Sequence, residues 1–140
     1  MNRLTTFAPW INRIVLAAAT FVFTMIGIRY IADPVHAAAA TGAILNTPLA
    51  VTTTRIGFGA FPLGIAVFTF TSLLSTRRLL PGVRLVAIVV TSTIFIRVIG
   101  IFADGALPAS SRLFIPEGVI LTLAAAGLFV QTRAAKGEIS

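Results

Sequence analysis

The chain has 140 residues, of which 57% are hydrophobic and only 11% charged, and its mean hydropathy is +1.00. That is too little polar surface to cover a water-soluble globule, so the composition is that of an integral membrane protein. The net charge of +7 comes from ten scattered Arg and one Lys rather than from a clustered basic face, which argues against a nucleic-acid partner, and the absence of Cys removes disulfides, thiolate nucleophiles and cysteine metal sites.

The first apolar run, IVLAAATFVFTMIGIRYI, covers residues 14–31. With Arg3 and Arg13 before it and Ala37 to Ala40 after it, the segment imitates a secretory signal. Arg29 and Asp33, between the apolar core and the alanines, argue instead for a retained first span. The second run, residues 49–74, contains RIGFGAFPLGIAVFTF. Its Gly57, Gly59, Ala60 and Gly64 predict close approach of a neighbouring helix, with Ala60 and Gly64 in small-xxx-small spacing. Pro62 predicts a kink that frees backbone carbonyls. The third run, VRLVAIVVTSTIFIRVIGIF, covers 83–102, and the fourth, LFIPEGVILTLAAAGLFV, covers 113–130. Each approaches the ~20 residues that a bilayer core requires of a helix. Backbone polar groups must be satisfied internally in lipid, so the expected fold is an all-α integral membrane four-helix bundle occupying residues 1–140 as one domain.

Basic residues fall in the N-terminal tail (Arg3, Arg13), the middle connection (Arg77, Arg78, Arg84) and the C-terminal tail (Arg133, Lys136), whereas the other two connections hold only Arg112. The positive-inside rule therefore predicts a multi-pass inner-membrane protein with both termini cytoplasmic and the connections near 33–48 and 103–112 outside. The cytoplasmic arginines serve topology and anionic headgroups.

With that orientation, Arg29, Arg55, Arg97 and Glu117 all fall in the outer third of the spans, and Asp33 and Asp104 stand at the mouths of the outer connections. A charge at such depth is costly unless it snorkels or faces the bundle interior. Arg29, beside Tyr30, reads as a snorkelling interface anchor. Glu117 follows Pro116, a normal first turn in which the carboxylate meets the positive end of the helix dipole. Arg55 and Arg97 are expected to turn inward toward Glu117 and Asp104 as a buried polar network or a ligand site; Arg97 and Asp104 are seven positions apart and share a helix face. Three guanidiniums at one level suit a headgroup, phosphate or carboxylate. IGIRYIADP at 26–34 also resembles IGIFADGALP at 99–108, which would make two pseudo-repeated hairpins.

Conventional catalytic constellations are missing from the sequence, and one imidazole, His36 in an outer connection, is not a haem or zinc ligand set. Neither a cofactor nor a metal is expected. Two function classes follow. One is a binding or accessory protein holding a membrane lipid or other anionic amphiphile, or docking on another membrane protein or a second copy of itself. The other is a small proton-coupled transporter or membrane enzyme using Glu117 or Asp104 beside Arg97.

At these residues the chain resembles a family of small bacterial four-span membrane proteins, domain of unknown function 4345, over about Gly27 to Phe129. The resemblance rests on Pro34 after the first span, on an Arg-x-x-aromatic-Gly run (Arg55, Phe58, Gly59, with Gly64 beyond), on Arg97 leading to Asp104 and Gly105, and on Glu117 early in the fourth span. Ala60 replaces the run's second glycine, and Thr53 stands where an acidic residue is common. The resemblance implies a four-span fold and brings no activity with it.

Overall fold

A computed structural model of the protein describes residues 3–105 and 117–129. The described chain is all-α and contains no strand. Helix α1 runs Arg3–Ala32, α2 Pro34–Ala39, α3 Pro48–Thr54, α4 Phe61–Leu73 and α5 Leu79–Asp104. A π-helical turn, Arg55–Ala60, joins α3 to α4, a 3₁₀ turn, Thr76–Arg78, precedes α5, and Glu117–Phe129 forms a shorter helix, α6. Among the described residues, three stretches are long and apolar enough to cross a membrane: Pro9–Ala32, Pro48–Leu73 and Thr76–Asp104. They are apolar all round, with Phe21, Phe95 and Phe102 all exposed, as expected of helices surrounded by hydrocarbon.

The boundaries follow local chemistry. α1 stops at Ala32 because Asp33 precedes a proline, which disfavours the helical region, and Asp33 adopts φ −142° and ψ 78°. Asp33 then caps α2, accepting from the backbone N–H of His36 at 3.2 Å, with Pro34 in the first turn. This short helix lies in what the sequence suggests is a plain connection. Thr47 caps α3 in the same manner through the N–H of Ala50, with Pro48 behind it. α5 begins at Leu79, earlier than the expected limit of 83, because Pro81 falls in its first turn, where the N–H it lacks would have no partner. α5 ends where Gly105 takes the left-handed conformation, φ 67°. Of the fourth expected span, 113–130, the described part is Glu117–Phe129.

Pro62 follows a local change in the helix. Immediately before it the helix widens, the N–H of Phe61 reaching the carbonyl of Ile56. A proline ring crowds the carbonyl four residues back, and a wider turn relieves that contact without ending the helix.

The residues group into two compact units. In the unit formed by Ala17–Thr71, α1 and α4 meet along Thr20, whose hydroxyl lies 2.8 Å from that of the buried Thr69, and along Gly27 and Ile31, which approach Leu63 and Gly59. In the unit formed by Met1–Leu16 with Ser72–Ser140, α5 buries Leu79, Gly82, Val83, Val86 and Val90. This is the i, i+3, i+4, i+7 stripe of one helix face. Val15, Leu16 and Ala124 are buried in the same unit. Gly82 is closely packed, since a Cβ there would stand 2.9 Å from Leu16 and 2.7 Å from Ser72.

Candidate functional site

Position 97 continues the buried stripe of α5, seven residues beyond Val90. Arg97 donates from Nε to Glu117 Oε2 at 3.0 Å and from Nη2 to Oε1 at 2.5 Å. The bidentate fork matches both carboxylate oxygens, and the side chains are 21% and 18% exposed. Glu117 is the first described residue of α6, and the expected first-turn position after Pro116 lies outside the described residues. The pair therefore neutralises an Arg that would otherwise be stranded on an apolar helix.

Asp104, one heptad further along α5, is exposed and has no ion pair or hydrogen bond among the described residues. It does not join Arg97 as expected, because that guanidinium spends its fork on Glu117. Arg55 belongs to the other unit. It is exposed at the start of the π turn and has no ion pair among the described residues, as is also true of Arg29 in the last turn of α1.

Arg29 and Arg55 belong to one level of their unit. A Cβ added at Gly27 would lie 3.0 Å from the carbonyl of Gly59, and one added at Gly59 would lie 2.7 Å from Ile31. Alongside, the rings of Tyr30 and Phe58 meet at 5.3 Å between centroids. Asp33, also exposed, is held below the usual aspartate range, first by the backbone N–H of His36, then by the His36 ring and by the positive charge of Arg55. Its Oδ2 lies 2.7 Å from His36 Nδ1. The imidazole that looks solitary in the sequence thus has a partner three residues away. Among the described residues no three His, Asp or Glu side chains come together in a way that could hold a metal ion.

Of the packing residues predicted in this span, only Gly59 is packed. Gly57, Ala60 and Gly64 are exposed, and a Cβ at Gly57 or Gly64 would meet nothing within 4 Å. The inward face of this span is fixed by Ala66 and the bonded Thr69. Two residues subtend about 200° on a helix, so Gly64 points away from the side that Ala66 faces, as Gly57 does from Gly59. Small-residue spacing identifies a smooth face but not which face is occupied. The glycines used in close packing include Gly27 and Gly82, neither of which belongs to a small-residue cluster.

Among the described residues, the geometry defines an all-α arrangement with three helices long and apolar enough to cross a membrane, one bidentate ion pair, and a separate pair of exposed arginines beside a capped acid. No family model, curated protein or solved structure matches the chain.

Proposed function

We propose that this protein is a small multi-pass four-helix protein of a bacterial inner membrane, with both termini cytoplasmic, that binds an anionic lipid or amphiphile at the level of Arg29 and Arg55. The observation that carries the reading is the unequal state of its arginines. Arg97 is committed to Glu117 through both carboxylate oxygens, whereas Arg29 and Arg55 are exposed with no ion pair among the described residues. Two exposed guanidiniums, one in the last turn of α1 and one about two turns into the Pro48–Leu73 stretch, suit a phosphate or carboxylate headgroup. The ring pair of Tyr30 and Phe58 offers apolar surface beside them. The resemblance to the domain of unknown function 4345 family is part of this proposal and rests on the same Arg55, Phe58 and Gly59.

Native mass spectrometry of the protein released gently from its own membrane tests the reading, with lipid extraction of the same sample. A defined adduct is expected in the wild type and in Arg97→Leu, and is expected to disappear in the Arg29→Gln/Arg55→Gln double variant. Retention of the adduct by that double variant would refute the assignment of the ligand to these arginines.

A further inference from the structure

A second basic region, sharing no residue with Arg29 and Arg55, lies in the unit that contains Leu16 and Gly82. Their close approach fixes one level of that unit. Arg13 lies one turn before Leu16 on α1, Arg77 and Arg78 lie in the 3₁₀ turn just before α5, and Arg84 lies in the turn after Gly82. All four start within about 10 Å of that level along the helix axes. The acids described in this unit are remote: Asp104 is roughly 33 Å further along α5, and Glu117 is bound to Arg97.

Arg77, Arg78 and Arg84 are exposed, as charges in solvent are. Arg13 differs. Its Nε is buried and has no hydrogen-bond partner among the described residues, and its guanidinium lies 5.7 Å from the ring centroid of Trp10, which is 62% exposed. A buried guanidinium donor with no acceptor is an unfavourable arrangement unless something supplies one. An exposed Trp beside it is the usual anchor at the boundary between hydrocarbon and headgroups. An anionic acceptor fits this level, because Arg13, Arg77 and Arg78 start near it with no described acid at hand, and it must be reachable from the end of an apolar helix.

We propose that Trp10 and Arg13 form a phosphate-binding site that takes the phosphodiester of an anionic phospholipid, with Arg13 Nε as the directed donor and Arg77 and Arg78 supplying the attracting field. An inorganic phosphate ion carries the same recognition chemistry, so the test separates the two sources.

Trp10 is the only Trp in the chain, so its fluorescence reports on this site alone. The full-length protein is reconstituted in phosphatidylcholine bilayers containing a fixed fraction of brominated lipid, either phosphatidylglycerol or phosphatidylcholine. Preferential quenching by brominated phosphatidylglycerol is expected in the wild type. It should fall to the phosphatidylcholine level in Arg13→Gln and remain weakened in Arg13→Lys, which keeps a charge but loses Nε. Arg77→Gln/Arg78→Gln should lower the preference only in part and lose its effect at high salt. Circular dichroism confirms that each variant is folded. A saturable response to inorganic phosphate in pure phosphatidylcholine, lost in Arg13→Gln and unaccompanied by any lipid preference, supports the site with free phosphate as its ligand. Equal quenching by the two lipids together with no phosphate response overturns the proposal, as does a preference that survives in folded Arg13→Gln.

Discussion

The Arg97–Glu117 pair gives the sharpest energetic prediction. Replacing Arg97 by Leu strands a carboxylate, and replacing Glu117 by Leu strands a guanidinium on an apolar helix. An isolated Arg in mid-bilayer costs about 2.5–3.5 kcal/mol on an insertion scale, and deleting half of a buried pair costs about 3–5 kcal/mol. The two side chains keep 21% and 18% of their exposure, so each single variant should lose about 3 kcal/mol, the low end of the range for buried pairs. The double variant Arg97→Leu/Glu117→Leu removes both charges and both desolvation penalties, and an apolar replacement of an ion pair is often neutral or stabilising. It should lie within about 1 kcal/mol of the wild type. The coupling is then far larger than the ~0.5 kcal/mol by which independent sites depart from additivity. Reversible unfolding in mixed micelles, followed by far-ultraviolet circular dichroism, measures all four corners of the cycle. A double variant as damaged as the sum of the singles would show that the two residues contribute independently and that the fork is not what holds α5 to α6.

Other outcomes follow from contacts described above. Gly59→Ala should destabilise by about 1–3 kcal/mol through overpacking against Ile31, whereas Gly64→Ala should be neutral or stabilising by up to about 1 kcal/mol through helix propensity; the same unfolding assay ranks them, and equal costs would contradict the assigned inward face. Thr20→Val should cost about 0.6 kcal/mol, the average for hydrogen bonds between membrane helices, and no more than about 1.7 kcal/mol, by removing the hydroxyl pair with Thr69; a neutral result would mean that the bond from Thr69 to the Ala66 carbonyl suffices. Asp33 should titrate below the ordinary aspartate value of 3.8 in a carbon-13 measurement of its carboxyl group. Because its folded value is depressed, the cap's contribution is complete above the unfolded value and is lost as pH falls through the folded one. The His36 amide, corrected for intrinsic exchange, should therefore lose protection only in that acid window, and a midpoint at or above 3.8 would refute the cap.

The apolar spans are legible in the sequence because hydropathy sums over about 20 residues and needs no knowledge of partners. The ends are less so. Pro81 and Gly82 look like breakers at the end of a loop, yet in a first turn the proline costs nothing, and the glycine admits Leu16 and Ser72. The Asp33–Pro34 pair is a readable capping signal, one that a charge-by-depth reading passes over. Burial depth brings Arg97 and Glu117 to notice, and their union depends on a contact between helices that spacing along either one does not contain. Arg13 reads as a topology residue in the sequence; only its buried Nε distinguishes it from Arg77 and Arg78.

The widened turn at Arg55–Ala60 has a consequence for comparing this chain with others. A π turn holds one residue more than the α-helical turn it replaces, while the helices on either side keep their facing. A homologous chain without that residue would match this one in phase before Arg55 and after Phe61, yet be offset by one position between the two halves. Its alignment would carry a one-residue gap within RIGFGA, in the middle of an apolar helix where gaps are ordinarily penalised. Placing the gap instead in the connection before Pro48 would pair Gly59 with the wrong residue and make a shared packing face look unrelated.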